Sequence, residues 1–183
     1  MNKPQIKNQL AELSIPTRDG QFIARYSEKG LAELNFPKVG SARLPRRSLA
    51  KPGRADRTPQ RGVPTTILRW HHATSTALKS VLAGREPKNV PPLDLSGGTP
   101  FQQNVWRALR KISCGKTSSY GEIARQICKP RAVRAVGGAC GANSIPIFVP
   151  CHRVLAANGK PGGFSAGLNW KRKLLAREGI VLR

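Results

Sequence analysis

The sequence predicts an α+β protein: a small α/β domain comes first, and a mostly helical domain with a helix-turn-helix follows. Three observations support this prediction. Turn signals at residues 19–20 and 29–30 separate β-prone runs, helix caps recur in the second half, and residues 86–98 form a stretch rich in proline and glycine. We therefore expect an N-terminal domain over residues 1–92 and a C-terminal domain over residues 93–183.

The first domain combines strand signals with a basic stretch. We expect residues 14–36 to form short strands joined by tight turns, because Asp-Gly between β-prone runs favours a hairpin. Residues 38–62 contain eight Lys or Arg against one acidic residue and have no periodic apolar face, which predicts a flexible basic loop. This loop is either a solvated insertion or a loose contact for phosphates.

Helices are predicted from apolar spacing and from caps. Apolar residues at helical spacing indicate a helix from Thr65 to about Leu82, closed by Gly84. Thr99 and Gln102 then form a capping box with proline at the first helical position. The apolar residues of the following helix fall on one face: Phe101, Val105, Ala108, Leu109 and Ile112.

Two further helices have the outline of a helix-turn-helix. Ser119 and Glu122 form a second capping box, and residues 128–130 break the helix that it opens. We expect the next helix to run from Arg131 to about Ala142. This helix has almost no large side chain, so it either packs tightly against another helix or lies in a DNA groove with Arg131 and Arg134 directed at the duplex.

Charge points to a polyanionic partner. The chain has 32 Lys and Arg against nine Asp and Glu, a formal net charge of +23. Nucleic acid is the usual partner of such a chain, because each neutralised phosphate releases counterions. A ribosome-associated or merely basic protein is the alternative that charge alone leaves open.

The four cysteines do not form a metal site or a disulfide framework in the sequence. None belongs to a C-x-x-C pair, and the ligand clusters of a zinc site are missing. We expect no signal peptide, and no apolar run is long enough for a membrane helix, so we expect an intracellular protein with free thiols. Most of these thiols should be small buried side chains, with one reactive.

The residues around Cys151 carry the chemistry. Ile147 to Val149 is expected to be a buried extended segment that delivers Cys151 and His152 to its end. A thiol attacks carbon well only as the thiolate, and its ordinary pKa of about 8.5 requires activation by a base such as His152. Adjacent residues in an extended chain point to opposite sides, so a bridging water or a local bend is needed, and we expect the water.

Glu178 is a candidate to orient His152. It is expected at the end of a helix that starts at Leu168, where a carboxylate faces the negative end of the helix dipole. A residue placed against local preference often has another task, although an ion pair with Arg177 or Arg183 is the simpler explanation.

The segments 134–139, 141–146 and 150–154 together closely resemble the O6-alkylguanine-DNA alkyltransferases, also called methylated-DNA–protein-cysteine methyltransferases. The likeness runs from about Thr99 to Gly179, and Pro-Cys-His-Arg-Val in this context is highly specific. It implies a ribonuclease-H-like N-terminal domain before the helical domain. The implied activity is irreversible, single-turnover transfer of the alkyl group from a flipped-out O6-alkylguanine to the protein.

The resemblance assigns catalytic roles to matching residues. Cys151 is the alkyl acceptor, and His152 with Glu178 forms a water-mediated proton relay. Asn143 braces the turn that carries the active-site segment. Tyr120 protonates the departing guanine and rotates the 3′ phosphate.

It also assigns DNA and base contacts. Arg134 corresponds to an arginine finger that replaces the guanine in the stack, and the helix that carries it enters the minor groove, which is about 6 Å wide. Residues expected to contact DNA are Arg131, Ala132, Arg134, Gly137 and Tyr120. Residues expected to line or read the base pocket are Pro146, Ser165, Phe164, Cys140 and the backbone of Val154, together with the Cys151 carbonyl.

The chain departs from the family pattern at several positions. Phe164 stands where many members have Tyr, so a hydroxyl contact to the base is missing. Cys140 is either a second, slower thiol or a packing residue. The N-terminal zinc ligands of some animal relatives have no counterpart, so we expect no metal and no cofactor.

The expected partner is double-stranded DNA containing O6-alkylguanine. We expect a monomer that does not bind membranes and works in the cytoplasm or, in a eukaryote, the nucleus. Two rival functions stay open. A DNA-binding regulator would use the helix-turn-helix without chemistry, although non-catalytic relatives carry another residue, often Trp, in place of Cys151. A cysteine hydrolase would use Cys151 and His152 but gives no reason for the arginine-bearing helix.

Overall fold

A three-stranded antiparallel sheet opens the fold of the computed structural model, which describes residues 10–37 and 62–182. The strands follow one another in space as in sequence: β1 (Ala11–Thr17), β2 (Gly20–Ser27) and β3 (Gly30–Asn35). Thr17 pairs with Gly20 across a two-residue turn, and Gly20 has φ +116°, which glycine adopts without a steric penalty. Both hairpins predicted from the turn signals are therefore confirmed.

One long helix, α1 (Thr65–Leu82), lies against this sheet. Its inward residues Ala77, Leu78 and Val81 are buried with Phe22 and Leu34 of the strands. The helix ends as predicted at Gly84, whose φ of +72° allows the turn in which the Gly84 and Arg85 amides bond back to the last turn. The basic loop predicted over residues 38–62 lies, apart from Gly62, outside the described residues.

The second half is mostly helical, as expected. Its elements are α2 (Pro100–Leu109), β4 (Ser118–Ser119), α3 (Tyr120–Gln126), α4 (Val133–Gly141), β5 (Val154–Leu155) and α5 (Leu168–Arg177). Both capping boxes are confirmed, since Thr99 with Gln102 and Ser119 with Glu122 make the reciprocal side-chain and backbone bonds. Strands β4 and β5 form a short parallel pair.

The connection between α3 and α4 is longer than the predicted three-residue break. It covers residues 127–132, because Cys128 takes φ +57° and the amide of Lys129 bonds back to the carbonyl of Ala124, which ends α3 one turn before the proline. The predicted start of the next helix at Arg131 is also wrong: α4 begins at Val133 with Ala132 as its N-cap. Arg131 therefore lies in the turn and not one helical turn from Arg134.

Packing between α2 and α4 rests on a residue that the periodicity did not single out. Trp106 is buried, and its indole Nε1–H donates to the carbonyl of Ala139 in α4 at 2.8 Å. This bond fixes α4, the helix of small residues, to α2 on the side of α4 that faces the core. No helix within residues 10–37 and 62–182 is long and apolar enough to cross a membrane.

Candidate active site

The segment before Cys151 is buried but is not extended, which corrects the sequence prediction. Ile147 has φ +80°, and Pro146 and Val149 form an isolated bridge across a tight turn. The physical reason is Asn143, whose buried amide donates to the Val149 carbonyl at 2.8 Å while its Oδ1 accepts from the Ile145 amide at 3.0 Å. These two bonds satisfy backbone groups that an extended strand would have paired elsewhere.

Cys151 lies at the start of a single 3₁₀ turn, Cys151–Arg153. Its side chain is buried, and the Nδ2–H of Asn143 donates to its sulfur at 3.1 Å. Burial raises the pKa of the Cys151 thiol to about 11, against the opposing effects of Asn143 and the nearby Lys171 ammonium. The resting thiol is therefore protonated at neutral pH, so a base must take its proton before the sulfur can attack.

A buried ionic cluster lies next to the thiol. His152 Nε2 is 3.0 Å from Glu178 Oε1, and neither side chain is more than 1% exposed. The Arg153 guanidinium donates to both Glu178 oxygens at 2.9–3.2 Å and to the Ile112 carbonyl at 2.6 Å. Burial alone would raise the pKa of Glu178, but the bonds from His152 and Arg153 outweigh it and lower the pKa to about 2.

The charge on Glu178 fixes the tautomer of His152. An ionised carboxylate only accepts hydrogen bonds, so Nε2 of His152 carries the proton and Nδ1 keeps its lone pair. Burial lowers the pKa of His152 below 6.5, which keeps the ring neutral at pH 7. Nδ1 is buried without a hydrogen-bond partner among the described residues. The ring thus presents an unoccupied basic nitrogen.

The end of α5 sets the position of Glu178. Gly179 takes φ +80°, and the amides of Gly179 and Ile180 bond back to the carbonyls of Ala176 and Leu175, which makes Glu178 the C-cap residue. The simpler explanation for Glu178, an ion pair with Arg177, is wrong: Arg177 pairs instead with Asp19. The alternative partner Arg183 lies outside the described residues.

Lys171 belongs to the site although the sequence reasoning missed it. Its side chain is fully buried, and its Nζ donates to the carbonyls of Val154 at 2.6 Å and Gly163 at 3.3 Å. The signal was present in the sequence, because Lys171 is three residues before the buried Leu174 and shares its helix face. A lysine at a core-facing position costs free energy unless it has partners.

A cavity of about 460 Å³ opens beside the thiol. It is lined by residues from α3, α4, the 3₁₀ turn and the loop before α5: Tyr120, Gly137, Cys140, Gly141, Cys151, Gly163, Phe164 and Ser165. Its size is in the range of small-molecule sites. Burial raises the pKa of Cys140 to about 12, so this second thiol is also protonated.

Two residues predicted for the base pocket are not on the wall of this cavity. Pro146 lines a larger groove between the three-stranded sheet and the loop before α5, and it shares that groove with Ser165. Val154 is fully buried, and its carbonyl is taken by Lys171.

Tyr120 stands at one side of the cavity, against the loop before α5. It is half-buried, and burial raises the pKa of its hydroxyl above 10. A Cβ on Gly162 would lie 2.8 Å from this hydroxyl, so glycine is needed there to leave room for it.

The outer face of α4 borders the same cavity. Arg131 and Arg134 are exposed, and Gly137 lines the cavity one turn after Arg134.

The four cysteines are not mostly buried, as was predicted: Cys140 and Cys151 are buried, Cys114 is partly buried and Cys128 is exposed. Within the described ranges, no three His, Cys, Asp or Glu side chains are grouped so that they could hold a metal ion.

Comparison with known proteins identifies the family. Residues 100–180 match the family model for the 6-O-methylguanine DNA methyltransferase, DNA binding domain. The methylated-DNA–protein-cysteine methyltransferase of Mycobacterium tuberculosis is 54% identical over 101 residues, which cover 55% of this chain and 61% of that protein. The protein of the same name from Salmonella typhimurium is 53% identical over 87 residues, 48% of this chain and 51% of that protein.

These matched stretches span about half the length of the curated relatives. A solved structure extends the likeness: the crystal structure of Mycobacterium tuberculosis OGT in complex with DNA has a TM-score of 0.67 and 39% identity, and the match covers 90% of each chain. The archaeal Pyrococcus kodakaraensis O6-methylguanine-DNA methyltransferase, at 22% identity and TM-score 0.55, shares the fold. The chain belongs to the 6-O-methylguanine DNA methyltransferase family.

Proposed function

We propose that this chain repairs DNA directly, by turning an O6-alkylated guanine out of the duplex and transferring the alkyl group irreversibly to the sulfur of Cys151. The observation that carries the proposal is the position of this thiol, buried on the wall of a cavity of about 460 Å³ and next in sequence to a neutral histidine whose Nδ1 has no hydrogen-bond partner among the described residues. Extrusion is needed because the O6 atom lies inside the stacked duplex, and it costs a few kcal/mol, least for a badly paired base.

The proposed reaction uses two separate proton transfers, one from the Cys151 thiol to His152 and one from Tyr120 to the leaving guanine; exchange with solvent then removes the proton from His152 and returns one to Tyr120. Because Nε2 of His152 is bonded to Glu178, Nδ1 is the nitrogen that takes the thiol proton. A water between the thiol and Nδ1 carries the proton. The S–C bond forms as the C–O6 bond breaks, and the Tyr120 hydroxyl, which keeps its proton at neutral pH, donates to the departing guanine. The product is a stable thioether, so each protein molecule repairs one base.

The proposed DNA contact is made by the helix-turn-helix. We infer that α4 lies in the minor groove and that Arg134 enters the base stack at the position that the guanine leaves. Arg131, Ala132 and Gly137 contact the DNA backbone and the walls of the groove. The exposure of both arginines beside the cavity supports this arrangement. The net charge of +23 supplies the attraction to phosphates. The partner is double-stranded DNA inside the cell.

The proposed base pocket has two groups of residues. Phe164, Ser165 and Cys140 line the cavity and would contact the base directly. Pro146 and the Val154 backbone are expected to contribute only if the loop before α5 adjusts when the base enters, because neither lines the cavity of the free protein. Asn143 braces the turn through its bonds to Val149 and Ile145.

We also propose that the chain has two domains that meet near residue 92, with a ribonuclease-H-like fold in the first. An antiparallel sheet crossed by α1 supports this description. The isolated bridge between Leu31 of β3 and Leu93 supports a junction between the two domains close to this point.

The test is mass spectrometry after mixing the protein with a duplex that contains O6-methylguanine. The proposal expects one methyl group on the peptide with Cys151, in stoichiometric amount, and none in Cys151→Ala, which should still bind DNA. Unmodified wild-type protein with intact binding would favour the regulator. Residual stoichiometric transfer in Cys151→Ala would shift the acceptor role to Cys140.

A further inference from the structure

The turn between β1 and β2 contacts α5, the helix that ends at Glu178. The Asp19 carboxylate accepts from two different nitrogens of the Arg177 guanidinium at 2.8 Å each, and Lys173 Nζ lies 2.6 Å from Oδ1. Asp19 and Arg177 are 158 residues apart in sequence. The Asp19 side chain is 9% exposed, and a two-pronged arginine–carboxylate pair of this kind fixes orientation as well as distance.

A second contact from the first domain meets the same turn of α5. Gly84, just after α1, has no side chain, and a Cβ at this position would overlap the backbone carbonyl of Arg177. The close approach shows that α1 and α5 meet end to end at this residue. Arg177 is therefore in contact with two parts of the first domain: Asp19 pairs with its side chain, and Gly84 packs against its backbone carbonyl.

Arg177 is the last residue of α5 and directly precedes Glu178. Groups that face the Glu178 carboxylate come from the second half of the chain: His152, the Arg153 guanidinium and the Gly115 amide at 3.2 Å. Arg153 in turn lies 3.8 Å from Glu86. These contacts hold the carboxylate, and the backbone that presents it is fixed both by the bonds at the end of α5 and by the contacts made at Arg177.

We propose that Asp19 is a positioning residue for the proton relay: by clamping Arg177 it keeps Glu178 on Nε2 of His152, so that the first domain controls activation of Cys151. This inference rests on the proposed function. It goes beyond that function because the catalytic groups all belong to the second domain, whereas the clamp belongs to the first. A displacement of about 1 Å at a catalytic group can slow a reaction on the order of 100-fold, so a small shift of the α5 end is sufficient.

A merely stabilising contact would have different consequences. Loss of the clamp would then lower the unfolding free energy and leave the chemistry of the folded protein unchanged. A positioning role instead changes the pH dependence, because without the relay the rate must follow ionisation of the thiol by solvent. The wild type should show a plateau around neutral pH, and a variant without the clamp should climb steadily with pH.

The experiment compares Asp19→Asn, Asp19→Glu and the reciprocal variant Arg177→Met in the full chain. Single-turnover methyl transfer from an O6-methylguanine duplex is followed from pH 6 to pH 9 at a temperature at which circular dichroism shows folded protein. Glu12→Gln is the matched control, since it breaks an ion pair with Arg25 in the same sheet that does not touch α5.

At pH 7 we expect Asp19→Asn and Arg177→Met to transfer on the order of tenfold more slowly than the wild type, with a rate that rises through pH 9. Asp19→Glu should recover part of the rate, and Glu12→Gln should match the wild type. Wild-type rates and pH profile in both clamp variants would overturn the inference, and so would variants that fail to fold at 10 °C, because the clamp would then be a stability contact. If the wild type itself gains no methyl group, the proposed function fails instead.

Discussion

Replacing Glu178 with glutamine tests the buried ionic cluster. In the folded protein the pKa of Glu178 falls from its ordinary value of 4.5 to about 2, and at about 1.4 kcal/mol per pH unit this corresponds to about 3 kcal/mol of stability at neutral pH. The variant also removes the close buried partner of the Arg153 guanidinium, 4% exposed, and leaves only the exposed Glu86 carboxylate 3.8 Å away; loss of a buried partner typically costs about 3–5 kcal/mol. We therefore expect Glu178→Gln to lose about 3 kcal/mol of unfolding free energy at pH 7.

The sign of the pH dependence follows from the lowered pKa. Stabilisation by Glu178 is fully present above pH 4.5 and is lost as the pH falls through about 2. The difference between wild type and Glu178→Gln, measured by urea unfolding from pH 7 down to pH 2, should therefore shrink below pH 4.5. The matched control is Glu12→Gln, whose exposed ion pair should be worth less than about 1 kcal/mol. A loss no larger than that of the control, or one that persists unchanged in acid, would refute the reasoning.

Two further variants test the surroundings of the Cys151 thiol. Gly162→Ala should slow methyl transfer on the order of tenfold, because the added Cβ would displace the Tyr120 hydroxyl. The control is Gly159→Ala, which should transfer at the wild-type rate, since Gly159 has a similar positive φ and no neighbour within 4 Å. Equal rates in the two variants would contradict the steric argument. Lys171→Met should raise the pKa of Cys151 above its wild-type value of about 11, since a cation near the thiolate is removed. Iodoacetamide labelling of the Cys151 peptide at pH 9 should then be roughly threefold slower or more, and unchanged labelling would show that the ammonium has no influence on the thiol.

Elements with a strong local signal could be predicted from the sequence. The Asp19–Gly20 turn, the two capping boxes and Gly84 after α1 each satisfy or release backbone groups within a few residues, so their chemistry is visible in a short window. The early end of α3, and with it the length of the connection to α4, was missed because Cys128 occupies a left-handed position that glycine usually fills. A propensity argument gives no reason to place cysteine there.

The active site could be predicted in its membership more than in its geometry. Pro-Cys-His-Arg and the helix end at Glu178 pointed to the residues that the structure brings together. The turn at Ile147 does not follow from the local pattern, because it depends on a side chain that bonds to two backbone groups further along; only the family resemblance assigned Asn143 to a turn in this segment. The clamp on Arg177 joins residues 158 positions apart, and such pairs leave no trace in local pattern or periodicity.

The burial of Cys151 also bears on how long the protein lasts before it acts. Thiolates, and not thiols, are the species that attack peroxides and disulfides and are oxidised in doing so. A sulfur with a pKa of about 11, almost out of reach of solvent, is therefore spared from oxidation while no lesion is present. Because each molecule is proposed to react only once, resistance of the thiol to oxidation determines how many copies are still active when a lesion forms.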